Sequence, residues 1–334
     1  MSSDRPTAVP AGGSDRPTAA TAGRAAARPG RRPAAVVVVG SVNRDYVCRV
    51  ATVPRPGETL LGADLSLGSG GKGGNQAVAA ALLGAPTSIV ARVGDDADGR
   101  ALLADLETAG VDVSGVSTSP DAPTGVAFVM VADDGENAIV VAPGANGELD
   151  AGAVTAALKG RLAAGDVLVM QGEIPLSGIE AAADKAERLG ARVVLNLAPY
   201  RELPEALLGL CDPLVVNEGE ALALLDIAAE DVVDSADLAI RVGGWARSAV
   251  VTLGAAGAVV AEGYDTEEIP AGPMTVVDTT GAGDAFTGAL AAALCDGADL
   301  ATAARRGAAA GSYAVGRAGA QASCPRREDL PASS

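Results

Sequence analysis

From Ala35 onward, short runs of β-branched and aliphatic residues alternate with Ala/Leu-rich segments of helical spacing, and glycine or proline punctuates the junctions. Alternation sustained over this length predicts a three-layer, doubly wound α/β fold around a mostly parallel sheet. The first run, Ala35–Gly40, is continuously apolar, as expected of a strand buried on both faces. Strand patterns recur at Thr87–Val93, Val167–Met170, Arg192–Leu195, Leu214–Val216 and Ala249–Leu253. Helices are expected at Ala77–Leu83, Asp98–Ala109, Asp150 to about Leu162, Gly178–Leu189, near Leu203–Leu208, Glu218–Leu225 and Ala236–Arg247. Polar residues sit at the carboxyl ends of the strands: Asn43 and Asp45, Glu173, Asn196, Asn217 with Glu220, and Thr252. Each alone reads as a cap or turn residue. Together they line the crevice where open α/β sheets bind ligands.

Two stretches interrupt the alternation. Tyr46–Leu67 contains Pro54-Arg55-Pro56-Gly57 between short alternating runs. Gly125–Val131 and Asn137–Val141 flank Asp133-Asp134-Gly135, an Asp-Gly hairpin signal. Both read as β excursions, at about 46–67 and 124–142, that pair into a small lid sheet over the crevice. Such a lid excludes water. Residues 1–34 are rich in Ala, Pro, Arg and Gly and repeat SDRPTA at Ser3–Ala8 and Ser14–Ala19. That composition predicts a disordered tail ahead of one domain spanning 35–330.

Histidine is absent from the 334 residues, which removes histidine bases, Ser–His–Asp triads and histidine-ligated metals together. The four cysteines are scattered without a CxxC pair, as in a reduced cytosolic protein. A net charge of −17 argues against a nucleic-acid surface, and no apolar run is long enough to predict a membrane span. Lysine occurs at only three positions, so Lys72 inside a glycine-rich run stands out.

The stretch Val276–Leu294 concentrates the chemistry. Its reading is a strand at Thr275–Val277, a tight Gly281-Ala282-Gly283 turn, and a helix that opens on Asp284. Exposed amides and the positive end of the helix dipole favour an anion there. Asp284 is either an ordinary cap or a base placed to take a proton from an attacking hydroxyl. A second glycine run, Gly68–Gly74, fails the Walker pattern, since residue 66 is Ser and Gly follows Lys72. It does fit GxGxxG at Gly68, Gly70 and Gly73, although the first core strand has already passed.

GGKGGNQAVAAALLGA at Gly70–Ala85 and DTTGAGDAFTGAL at Asp278–Leu290 carry a more specific likeness. With GSVNRD, PRPGETL, TGVA, DGEN, GAN, LAPYRELP, VVNEGEA, TLGAAG and GAQAS in the same order, the chain resembles the ribokinase-like (phosphofructokinase-B type) carbohydrate kinase family over Ala35–Pro325. The resemblance implies ATP-dependent phosphorylation of D-ribose to ribose 5-phosphate, with Asp284 as general base. Gly281, Ala282, Gly283 and the Asp284 amide then form an anion hole for the γ-phosphate. It further implies that Asn43, Asp45, Gly71, Lys72, Asn75 and Glu173 hold the sugar. Asn217 and Glu220 organise Mg²⁺ and phosphate. Thr252, Leu253, Gly254, Ala255, Ala256 and Gly257 run along the nucleotide, with Ala308 near adenine. Asp278, Thr280, Ala314, Arg317, Gly319 and Ser323 ring a K⁺ ion, mostly through backbone carbonyls, and a homodimer forms through the β lid.

Departures from the family pattern fall at Leu197, Gly172 and Ala308. The rivals are a sister kinase for deoxyribose, another sugar or a nucleoside, a catalytically idle sugar-binding regulator, and an NAD-dependent oxidoreductase using the GxGxxG run. Few aromatics count against a nucleoside held by base stacking.

Overall fold

A computed structural model describes residues 32–132 and 137–331. The chain runs from β1 (Val36–Val39) through β2 (Asn43–Val50) and β3 (Leu65–Gly70) into α1 (Lys72–Leu82). Then come β4 (Thr87–Val90), β5 (Arg92–Gly94), α2 (Ala97–Thr108), β6 (Ser117–Ser119), β7 (Gly125–Ala132) and β8 (Asn137–Ala142). Alternation follows: α3 (Ala151–Ala157), β9 (Val167–Gln171), α4 (Leu176–Leu189), β10 (Arg192–Asn196) and α5 (Glu205–Leu208). After these lie β11 (Leu214–Asn217), α6 (Glu218–Leu225), α7 (Ser235–Gly243) and β12 (Ala249–Thr252). The strands β13 (Ala258–Glu262) and β14 (Asp265–Ile269) precede the closing helices α8 (Ala282–Cys295) and α9 (Leu300–Ala314).

Eight strands form the central sheet in the order β14-β13-β12-β11-β10-β9-β1-β4. It is parallel except at one edge, where β13 and β14 join antiparallel. Alternate residues of each strand enter opposite cores. Val36 and Val38 pack with α1, α8 and α9, whereas Val37 and Val39 pack with the α3, α4 and α7 layer. Four consecutive valines are therefore fully buried, each worth about 1.5–3 kcal/mol relative to exposure. The continuous apolar runs are the direct consequence of this two-sided burial.

The lid is a separate four-stranded sheet, β3-β2-β7-β8. Its expected Asp133-Asp134-Gly135 turn lies outside the described residues, although β7 and β8 pair antiparallel on either side. The expected tail falls almost wholly outside them too.

Two expectations near the chemistry need correction. Thr275–Val277 is not a strand: Val276 and Val277 are exposed, and the segment joins no sheet. Its backbone instead hangs on the end of α9, where Val315 O accepts from the amides of Val277 (2.7 Å) and Asp278 (3.1 Å). Helix α1 starts five residues before the expected Ala77 and takes in Gly73 and Gly74, against their low helix propensity. Close approach explains this. A Cβ on Gly73 would lie 2.7 Å from the backbone of Gly40 and Ser41 at the end of β1. Elsewhere α3 stops at Ala157 rather than Leu162 and α7 at Gly243 rather than Arg247.

Candidate active site

Helices here mostly announce their starts with a side chain. Asp96, Asp150, Asn217, Asp234 and Asp299 each accept an amide of the first turn. Helices α1 and α8 instead begin at glycines of positive φ, Gly71 and Gly281, with no side-chain cap. At α1 the open amides find other partners: Lys72 N donates to Glu173 Oε2 (3.0 Å) and Gly74 N to Ser41 O (2.9 Å). At α8 the Ala282 amide makes only a long bond to Thr279 O (3.3 Å). No backbone acceptor is found for the Gly283 and Asp284 amides among the described residues. Of the two glycine runs, Gly281-Ala282-Gly283 is thus the one whose amides are open to an anion.

Asp284 is buried in the first turn of α8, and it does not cap that helix. Its Oδ2 accepts from Asn75 Nδ2 (2.8 Å) and its Oδ1 from Gln76 Nε2 (2.9 Å), both on α1. The bland reading of Asp284 as a cap is therefore set aside on geometry. Asn75 keeps a buried Oδ1 without a partner, free to accept a hydroxyl proton.

The strand-end residues converge as expected. Glu173 Oε2 accepts from the Ser41 hydroxyl (2.5 Å) as well as from the Lys72 amide. Asn43 Oδ1 is taken by Asn146 Nδ2 (2.8 Å), which turns its own amide group outward as a donor. Asn146 also closes a pair of bonds with the Val42 backbone. Asp45 folds over Gly70, where a Cβ would lie 2.2 Å from its Oδ2. Gly71 is equally constrained, at φ 80° with Val42 and Asn43 backbone atoms 2.7 Å from any Cβ.

Three carboxylates act on a single lysine in this region. Lys72 is held ionised above its usual range chiefly by the Asp284 charge, then by Glu173 and Glu220, against the opposing effect of burial. Asp45 is pushed up to about 6 by burial and by the Glu173 and Asp284 charges, with Arg44 opposing. Burial also raises Glu220, where the Asn217 amide and Lys72 work the other way and Asp284 adds to the rise.

Asp45 yields a prediction. A folded-state value raised from 3.8 to about 6 gives stability that is complete below the unfolded value and is lost as pH rises through 6. Asp45→Asn should therefore stabilise the free protein at pH 8, by on the order of 1–2 kcal/mol after allowance for solvent screening. Near pH 4 the gain should largely vanish. Thermal melts at the two pH values check this; a variant less stable than the parent at pH 8 contradicts it.

Beyond the mouth of α8 lies a cavity of about 330 Å³ lined by Thr252, Gly254, Ala255, Gly257, Ala282, Gly283 and Ala308, among others. Leu253 and Ala256, expected along the nucleotide, do not line it. Leu253 packs into the core on the opposite side, and the Ala256 amide closes the turn onto Leu253 O (3.1 Å). Asn217 and Glu220 form a reciprocal capping box at the start of α6, beside Thr252 in the sheet register. Among the described residues no group of three or more His, Cys, Asp or Glu side chains is placed to hold a metal. A magnesium ion carried by nucleotide phosphates fits this arrangement, since it needs one or two protein carboxylates at most.

Asp278 accepts from the amides of Thr280 (2.9 Å) and Gly319 (2.9 Å). Burial alone would raise it, but these amides and the Arg49 charge hold it below the usual carboxylate range. The turn is fixed to the 314–323 segment, because a Cβ on Gly281 would lie 2.8 Å from Ala320 Cα. Ala314 O accepts from Arg317 N (3.0 Å), while the Arg317 guanidinium stacks on Tyr313 at 3.5 Å. Ser323 is buried with its hydroxyl on Ala320 O (2.8 Å). An ionised carboxylate beside this turn is a donor that suits a monovalent cation.

Sequence reasoning missed Gln76 and Asn146, which touch the site residues directly, and Gln171, which holds Gln76. Gln76 and Asn146 lie inside strings that carried the family likeness, so a signal was present. Gly172 has a structural cause rather than a pocket role: a Cβ there would lie 2.4 Å from Pro199 O.

The family model for pfkB family carbohydrate kinases matches residues 33–327. The chain is 38% identical to the ribokinase of Haemophilus influenzae over 297 residues, covering 88% of this chain and 96% of that protein. The ribokinase of Schizosaccharomyces pombe is 37% identical over 301 residues, covering 87% and 94%. Among solved structures, Arabidopsis thaliana ribokinase complexed with ribose and ATP superposes with a TM-score of 0.79 at 32% identity, covering 89% of this chain and 97% of that one.

Proposed function

The chain belongs to the pfkB family of carbohydrate kinases, and we propose from its site how it moves a phosphoryl group from ATP to ribose. It is an ATP-dependent sugar kinase that phosphorylates ribose, and the proposed product is ribose 5-phosphate. The observation that carries the mechanism is the position of Asp284. This buried carboxylate is aimed by two amides and follows directly on Gly283, which lines the neighbouring cavity.

Ribose enters beneath the lid, where Asn43, Asp45, Lys72, Asn75 and Glu173 engage its hydroxyls. Asn43 donates, because its oxygen is committed to Asn146; Asn75 accepts through its unpartnered oxygen. ATP occupies the cavity between Thr252–Gly257 and Ala308, with its γ-phosphate at the Gly283 and Asp284 amides. Asp284 takes the proton of the 5-hydroxyl as that oxygen attacks, and Lys72 offsets charge on the transferring group. Phosphoryl transfer of this kind relies on position and charge more than covalent chemistry.

Asn217 and Glu220 would hold Mg²⁺ through the phosphates, and that ion when bound neutralises their charge. Asp278 with the carbonyls of Thr280, Ala314, Arg317, Gly319 and Ser323 would hold K⁺, bracing the turn that presents the anion-hole amides. We further propose a cytoplasmic homodimer formed through the lid. Leu67, Tyr46, Phe128 and Val140 stand in register across one face of that sheet, and all but Tyr46 are exposed hydrophobics. Asn43 and Asp45, odd-numbered on β2, belong to the other face. Among the described residues no helix is long and apolar enough to cross a membrane.

Phosphorus NMR of the reaction product tests the regiochemistry. Phosphate on the C5 oxygen couples to two hydrogens and gives a triplet. A doublet, from a secondary or anomeric position, would overturn the proposed seating of ribose against Asp284.

A further inference from the structure

We propose that Gln76, held by Gln171, is the positioning residue that fixes the plane of the Asp284 carboxylate for proton abstraction. The inference rests on the reading of Asp284 as the base. Gln76 is completely buried and is placed to touch neither sugar nor nucleotide. Its polar contacts are Asp284 Oδ1 (2.9 Å), Asn196 Oδ1 (3.0 Å) and the amide of Gln171. Both hydrogens of its amide nitrogen are thereby committed, one to the base and one to the end of β10.

The orientations follow one from another. An ionised carboxylate only accepts, so the nitrogen of Gln76 must face Asp284 and its oxygen must point away. That oxygen accepts from Gln171 Nε2 at 2.7 Å, which sets the Gln171 amide in turn. Gln171 Oε1 is left buried without a partner, directed at Gly40. A Cβ at Gly40 would lie 2.0 Å from that oxygen, so the end of β1 is cleared of side chain where the relay passes. Asn196 is anchored separately through Val215 O at 3.3 Å. The result is a chain of neutral amides running from the centre of the sheet to one oxygen of the base.

Asn75 holds the other oxygen and also faces the sugar, so its geometry is free to change as ribose binds. Gln76 supplies the constraint that does not depend on substrate. A carboxylate held by Asn75 alone can turn about its own axis, and misplacement of an attacking or proton-accepting atom by about an ångström costs on the order of a hundredfold in rate. Buried amide networks are costly when only partly satisfied, and this one leads to the base.

The test uses Gln76→Met, which keeps length and removes the donor. Turnover with ribose and ATP should fall about tenfold to a hundredfold, while the ribose dissociation constant measured without ATP stays unchanged. Gln171→Met should show the same split with a smaller fall, and it carries the test should Gln76→Met not fold. On an Asp284→Asn background, Gln76→Met should cost nothing more, because its effect passes through the base. Parental turnover in folded Gln76→Met, or a full further loss on the Asp284→Asn background, would overturn the proposal. Parental turnover in Asp284→Asn itself would overturn the base reading and this proposal with it.

Discussion

Asp284→Asn is expected to fold and bind ribose like the parent protein while losing about two to four orders of magnitude in turnover, the usual worth of a positioned general base. Asparagine has nearly the shape of aspartate, and α8 does not depend on residue 284 for a cap. The proposed sugar contacts come mainly from β2, the start of α1 and Glu173, all of which remain. What disappears is the acceptor for the hydroxyl proton, together with one of the two oxygens that accept from Asn75 and Gln76, so one of those amides must turn. A like-charge effect also disappears, since the Asp284 charge raises both Asp45 and Glu220 and helps to hold Lys72 ionised. Single-turnover kinetics beside calorimetric ribose binding separate these contributions. Loss of ribose binding together with turnover would show that Asp284 holds the sugar rather than takes its proton.

Gly288→Ala is the second large effect expected, and it acts on the same geometry from behind. Gly288 lies on α8 where that helix crosses α1. An added Cβ would meet Gln76 O at 2.6 Å and Ala79 Cβ at 2.5 Å, so the two helices must part. Overpacking of this kind costs about 1–3 kcal/mol in stability. Because Asn75 and Gln76 on α1 aim the carboxylate on α8, the separation should also lower turnover by on the order of a hundredfold. A thermal melt and a rate measured well below the melting temperature check both parts. Retained parental turnover in a destabilised protein would uncouple the helix crossing from catalysis.

Much of this arrangement was legible in the residues. Continuous apolar strands marked a parallel sheet, because two-sided burial leaves no polar face. The Asn217/Glu220 spacing is a capping box by itself, and the Asp284 helix start was readable from its glycines. Less legible were features set by distant neighbours. Val276 and Val277 have strand propensity, yet the backbone here bonds to Val315 O at the end of α9 instead of to a strand. Gly73 enters a helix because the backbone just past β1 lies too close for any side chain. Gln171 and Asn196 lie 95 and 120 residues from Gln76 in the chain, so their contact has no local signature. Only the fold shows that they touch.

ADP release measured with ATP, Mg²⁺ and K⁺ over ribose, deoxyribose, fructose, adenosine and a blank tests the central claim most directly. Ribose should give the highest kcat/KM and the blank should be silent. Stronger turnover of adenosine or fructose, or silence across the panel from folded protein, would contradict the assignment of this site to ribose phosphorylation.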